Sequence, residues 1–199
     1  MVKEQSKSPR VRLFVALDLP GWICDGLANW GREALADPAL RPVRRESLHI
    51  TLAFLGLRPE GDVERIAAAV EECAGPAPLI ELGGPAARPP RRPRLFALPA
   101  VSPGAETMQE QLSELLAVEG FYRPEKRPFW PHVTVARVRP EGRGSRRPAP
   151  VEAWPKEFPP SLSEAFYGIR LTLYRSELQP EGARYAPLAQ VELPGAGQQ

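Results

Sequence analysis

The chain has 199 residues, of which 43% are hydrophobic and 25% charged, with a net charge of +2. That length and apolar content suffice for one domain with its own core, and the near-neutral balance excludes the global cationic field of proteins that coat duplex DNA, so no DNA partner is expected. No apolar run approaches the roughly 20 residues that span a bilayer, and residues 1–10 lack a secretory hydrophobic core; a cytoplasmic protein without a membrane partner is expected. Residues 1–10 read as a polar tail. Val11 to Leu17 reads as a strand, and Pro20 fits the start of a helix in which Ile23, Leu27, Trp30 and Leu35 recur at helical spacing. Arg41-Pro42 breaks that pattern before a second strand, Leu48 to Leu55, and Gly56 to Gly61 reads as a turn. Val63, Ile66, Ala67 and Val70 mark a second helix that ends near Gly75-Pro76. Leu79 to Leu82 and Arg94 to Leu98 read as short strands, with Gly83 to Pro93 between them too rich in Gly and Pro for a regular element. Met108, Leu112 and Leu115 suggest a third helix. The strand His132 to Val138, a long loop rich in Pro, Gly and Arg, strands near Ala165 to Tyr174 and Tyr185 to Leu193, and a tail over 194–199 complete the chain. Helices and strands interleave, so an α+β fold of two similar lobes across a cleft is expected, as one unit over 11–193. Cys24 and Cys73 lack motif spacing and are expected to be reduced structural thiols.

The chain's two histidines stand in the same context, His49-Ile50-Thr51-Leu52 and His132-Val133-Thr134-Val135, 83 positions apart. Two of its four threonines complete that pattern. In a strand, residues i and i+2 share a face. His49 and Thr51 then oppose Ile50, Leu52 and Phe54, and His132 and Thr134 oppose Val133 and Val135. Ala53 and Ala136 continue the polar faces with side chains small enough to leave room for a ligand. An imidazole gives or takes a proton near neutral pH, and two facing imidazoles can serve as acid and base at once. Each threonine hydroxyl offers a donor to an anionic oxygen. Two such pairs around one pocket suit a phosphate attacked on one side and released on the other, with no metal required. A structural role for a lone strand histidine is the competing reading, and it must apply twice here. A metal site falls short of the usual three or four ligands unless Asp18 or Glu46 is recruited.

Around these motifs the sequence resembles the 2H phosphoesterases, in particular the branch known as RNA 2′,3′-cyclic phosphodiesterase or 2′-5′ RNA ligase. The resemblance rests on Arg12 to Pro20, on Leu48 to Gly56 (LHITLAFLG), on Arg127 to Arg137 (RPFWPHVTVAR), and on Leu171 to Ser176 and Arg184 to Leu188. It implies a bilobal α+β fold with two antiparallel sheets and flanking helices facing each other across a central cleft, one histidine from each lobe, no cofactor and no metal. It implies hydrolysis of 2′,3′-cyclic phosphate RNA ends, or of small cyclic nucleotides, to 2′-phosphate. By analogy His49 is the acid and His132 the base, with Thr51 and Thr134 on the non-bridging oxygens. Arg137 matches an arginine expected to hold phosphate or base. Simple alternation turns it away from His132, and a bulge or the strand end would re-aim it; a solvated arginine is the alternative. Phe14 and Phe129 are candidate stacking partners for a base, or core residues. Arg88, Arg91, Arg92 and Arg94, and Arg139, Arg143, Arg146 and Arg147, form two basic clusters suited to drawing in an RNA end, or are solvated loops. A monomer is expected. The alternatives are an ATP-independent 2′-5′ RNA ligase acting on tRNA halves, since the chain lacks a phosphate-binding loop of the G-x-x-x-x-G-K-[ST] kind, and a non-catalytic RNA-end binder.

Overall fold

The computed structural model describes residues 9–155, 157–179 and 182–195. In chain order they form β1 (Arg10–Asp18), α1 (Gly21–Ala34), β2 (Leu40–Pro42), β3 (His49–Pro59), α2 (Val63–Glu72), β4 (Leu79–Leu82), β5 (Ala86–Arg88), β6 (Leu95–Val101), α3 (Pro103–Val118), β7 (His132–Val138), β8 (Phe166–Tyr167), β9 (Arg170–Gln179) and β10 (Gly182–Glu192). The strands run in the order β10-β9-β1-β3-β7-β6-β4-β8, with β2 on β7 and β5 on β6, and every pairing is antiparallel.

The expected α+β arrangement of two antiparallel lobes is present. One is β10-β9-β1-β3, and the other is built on β7, β6, β4 and β8. They are joined through a single matched pair, Ile50 and Val133. The lobes interleave along the chain, because β9 and β10 return from the C-terminal third to extend β1. Burial drives the pairing. Val11, Leu13, Val15 and Leu17 project from one face of β1 and are almost wholly buried, which stabilises each fully buried side chain by about 1.5–3 kcal/mol. Helix α2 packs on β9 and β10, and α3 on β3 and β4. The start of α3 is fixed by Ser102, whose hydroxyl accepts from the Ala105 N–H at 3.3 Å and donates to the Leu79 carbonyl at 2.7 Å.

Several elements differ from the sequence reading. Gly56 is not the start of a turn: β3 runs on to Pro59, and Gly56 takes a positive φ of 69° where the register against β1 shifts. Arg41-Pro42 is part of the short strand β2, and Ala86–Arg88 within the Gly/Pro-rich stretch is β5. Both are three-residue strands, too short for periodicity to reveal. The span Ala165 to Tyr174 divides into β8 and the start of β9 around Gly168 and Ile169. Of the two proposed tails, residues 1–8 and 196–199 lie outside the described residues, while Arg10 already pairs with Pro59 and the Pro194 carbonyl accepts from Ala77 N–H. Cys24 and Cys73 are free and buried, and burial pushes both thiols up to about 11, which disfavours the reactive thiolate.

Candidate active site

The pairing of Ile50 with Val133 sets the site. Neighbours of a matched antiparallel pair match crosswise, so His49 lies across from Thr134, and Thr51 across from His132. All four side chains open on one cavity of about 120 Å³. The expectation that both rings and both hydroxyls face a single pocket is met in the geometry.

A second feature is duplicated, and nothing in the sequence marks it. Against β1, Ala16 pairs with Thr51 and Val15 with Ala53, leaving Leu52 unmatched. Against β6, Ala97 pairs with Thr134 and Phe96 with Ala136, leaving Val135 unmatched. Each motif strand therefore carries a bulge one residue after its threonine. An extra residue inverts the facing of everything beyond it. Ala53 and Ala136 turn into the core, 2% and 0% exposed; they do not line the pocket as alternation predicts. Phe54 turns out of the apolar face, is 50% exposed and lines the cavity. Arg137 likewise lines the cavity, so the bulge, and not simple alternation, decides its direction.

The two imidazoles are held differently. His49 Nε2 lies 3.0 Å from Thr51 Oγ1. Its ring stacks on Phe14 at 5.1 Å, with the Tyr185 ring edge-on at 5.5 Å. Tyr174 also stacks on Phe14 at 5.2 Å and lies 6.2 Å from the His49 ring. Phe14 is 3% exposed and supports His49, so it has little surface to offer a base. His132 Nδ1 lies 2.7 Å from the Trp130 carbonyl. A carbonyl only accepts, so Nδ1 carries the proton and the neutral ring keeps its Nε2 lone pair. The Trp130 ring stacks on His132 at 4.2 Å, and the Arg88 guanidinium lies 4.4 Å from the Trp130 ring centre. Phe129 does not reach the small cavity. It packs partly on the core and lines an adjoining groove of about 530 Å³ that shares Thr51, Phe54 and His132 with it.

The sequence profile of the 2′-5′ RNA ligase superfamily matches residues 25–179, which include both motifs. The chain belongs to this superfamily. It is 31% identical over 194 residues to the RNA 2′,3′-cyclic phosphodiesterase of Thermus thermophilus, covering 93% of this chain and 91% of the relative. It is 29% identical over 182 residues to the protein of the same name from Escherichia coli, covering 89% and 93%. Among solved structures, one from Thermus thermophilus superposes with a TM-score of 0.74 at 31% identity, covering 92% of this chain and 97% of that one. Escherichia coli LigT complexed with 3′-AMP superposes with a TM-score of 0.73 at 26% identity, covering 94% and 99%.

In this member of the 2′-5′ RNA ligase superfamily, both imidazoles are biased toward the neutral form. Burial lowers His49 from 6.5 to about 4; the Asp18 charge and a hydrogen bond to the Ser47 backbone oppose this, and His132 and Arg137 add to it. Burial also lowers His132, with the Trp130 carbonyl opposing and Arg88 and Arg137 adding to the effect. Asp18 is 6% exposed and fully engaged: it accepts from Arg170 Nε at 2.7 Å, Thr172 Oγ1 at 2.8 Å and the Tyr174 hydroxyl at 3.0 Å. Sequence reasoning passed over this network and gave Trp130, Tyr185 and Ser176 no role; it placed Arg88 only in a basic cluster. The only signal was the polar alternation Arg170, Thr172, Tyr174 along a strand. The two basic loops meet: Arg91, Arg92 and Arg147 line one cavity of about 390 Å³ together with Glu141 and Trp154. Among the described residues no group of three His, Cys, Asp or Glu is placed to hold a metal ion, and no helix is long and apolar enough to cross a membrane.

Proposed function

We propose that this protein hydrolyses 2′,3′-cyclic phosphates at RNA ends, leaving a 2′-phosphate, by two-histidine acid–base catalysis without a metal. The observation that carries the reading is the crosswise His–Thr arrangement around one cavity, in a chain whose relatives are RNA 2′,3′-cyclic phosphodiesterases. His132 Nε2 takes a proton from water, the water oxygen bonds to phosphorus, the P–O3′ bond breaks, and His49 protonates the departing 3′-oxygen. The Trp130 carbonyl pins the proton on His132 Nδ1 and leaves Nε2 to accept; the Ser47 backbone engages His49 in the corresponding way, so the assignment of base and acid follows the family analogy. The Asp18 charge supports the acid role, because it favours an imidazolium at His49. The bound phosphate anion supplies the remaining stabilisation of that charge. Thr51, Thr134 and Arg137 donate to the non-bridging oxygens, where such donors are most effective as negative charge develops.

The ligase direction and the non-catalytic binder are not favoured. The relatives carry hydrolase names, and a binder has no use for two proton carriers. The protein acts as a monomer in the cytoplasm on RNA ends or small cyclic nucleotides, in keeping with its free thiols and its modest net charge. The test is an RNA oligonucleotide ending in a 2′,3′-cyclic phosphate, incubated with the enzyme in EDTA. Conversion to the 2′-phosphate is expected. An unchanged end, or a 3′-phosphate product, defeats the proposal.

A further inference from the structure

Arg137 lines the cavity between the histidines, and a second arginine stands directly opposite it in the sheet: the register of β2 against β7 matches Arg41 with Arg137. We propose that Arg41 binds the phosphodiester that links the terminal nucleotide to the next one upstream, so that the site is built for the end of an RNA chain and not for a lone cyclic nucleotide. The proposal rests on the phosphodiesterase reading above and narrows its substrate class.

Three observations carry it. First, the two arginines share the face of the histidines. Arg88 is matched with Leu95, Leu95 with Arg137, and Arg137 with Arg41. Matched residues of antiparallel strands project on the same side, so β5, β6, β7 and β2 carry one row. Arg137 lines the cavity, and Arg88 lies over the Trp130 ring that stacks on His132. Second, like charges directly opposite in a sheet are destabilising. Among the described residues neither Arg41 nor Arg137 is ion-paired with a carboxylate. The fold therefore holds two guanidinium arms on backbones about 5 Å apart with no anion of its own to offset them. A ligand with charge at two successive phosphates supplies that offset, and a guanidinium presents its forked donors to each. Third, the two cations address different places. Arg137 is in the cavity lining and Arg41 is not. The Arg41 side chain extends from β2 to β10 of the other lobe, its guanidinium carbon 3.8 Å from where a Cβ on Gly182 would stand. Tyr185, three residues further along β10, is in the cavity wall. Arg41 thus stands at the rim, beside a cavity of about 120 Å³ that is too small for a nucleotide. A phosphate one nucleotide upstream of the reacting one lies outside that cavity, where Arg41 can reach it.

The test compares three substrates: adenosine 2′,3′-cyclic phosphate, the adenosine dinucleotide ending in a 2′,3′-cyclic phosphate, and the same dinucleotide with a neutral methylphosphonate link. The wild-type enzyme is expected to show a KM for the charged dinucleotide roughly 5- to 20-fold below the other two. Arg41→Gln is expected to erase that preference by raising KM for the charged dinucleotide, with kcat changed far less. It should also lower the slope of log KM against log salt concentration by about 0.7, the loss of one contact to a single-stranded phosphate. Arg41→Lys keeps the charge and retains most of the preference. The proposal is overturned if the wild type treats the phosphate and methylphosphonate dinucleotides alike. It is equally overturned if Arg41→Gln leaves KM for the charged dinucleotide unchanged, or raises KM for adenosine 2′,3′-cyclic phosphate by the same factor. The wild-type comparison needs no variant, so it decides the matter even where Arg41→Gln does not fold. If the wild type hydrolyses none of the three, the phosphodiesterase reading itself has failed, which is a separate result.

Discussion

Strands β3 and β7 are nearly the same object seen twice. Each presents histidine, a buried aliphatic, threonine, a bulged aliphatic, a buried alanine and an outward side chain, with the same burial along all six positions. What surrounds them is not the same. His49 sits in an aromatic cage of Phe14 and Tyr185 with the Asp18 charge nearby, while His132 is stacked on Trp130 and faces Arg88. The sixth positions are Phe54 and Arg137. On the proposed mechanism the backbone supplies two equivalent halves of a phosphate site, and the differing side chains around them are what would set a donor apart from an acceptor.

If the two halves are both needed, breaking either should be equally severe. His49→Ala and His132→Ala should each lower kcat by roughly 10²- to 10⁴-fold, with near-native unfolding temperatures, in a cyclic-phosphate turnover assay. A variant retaining a tenth of the activity would remove that histidine from the proton transfers. The threonines sharpen the symmetry. Thr51→Val and Thr134→Val should each cost about 10²-fold in kcat with little change in KM, as expected of donors that act mainly in the transition state. A large loss in one and none in the other would mean that a single lobe holds the oxygens. Arg137→Ala should raise KM roughly 10- to 100-fold for every cyclic-phosphate ester, with or without a base.

The smallest expected effect is on stability. The folded-state value of His49, about 4, lies below the unfolded value of 6.5. The unfolded chain therefore binds a proton in that interval while the folded chain does not, and folding is opposed as pH falls. Stability should decline as pH drops from 6.5 to about 4 and gain no further contribution from this group below that. In His49→Gln, denaturant midpoints measured across that range should show a shallower decline. An equal slope in both proteins would show that His49 is not buried as a neutral ring.

Much of this comparison was visible in the residues before any coordinates. His49, Thr51, His132 and Thr134 follow from strand alternation, because the motif lies ahead of each bulge. Beyond the bulge, Arg137 was named with a bulge as the device that would re-aim it, while the alanines and Phe54 were misread. Ala53 and Ala136 were expected to line the pocket and are core; Phe54 was expected in the core and is at the pocket. A bulge is a property of the register between two strands, set by what β1 and β6 offer opposite, and neither Leu52 nor Val135 announces it. Phe14 was read as a stacking partner for a base or as a core residue, and it is buried; Tyr174, which stacks on it, arrives from 160 positions later in the chain. The Asp18 network is hidden for the same reason: its partners Arg170, Thr172 and Tyr174 come from β9.

Two imidazoles that address one phosphate should respond to it together. The chain's two histidines make a direct measurement possible: an NMR pH titration of both rings, assigned with His49→Gln and His132→Gln, with and without adenosine 2′-phosphate. The ligand is expected to shift both rings at the same concentration and to raise both values, His49 from about 4. A response from one ring alone, or from neither, would contradict it.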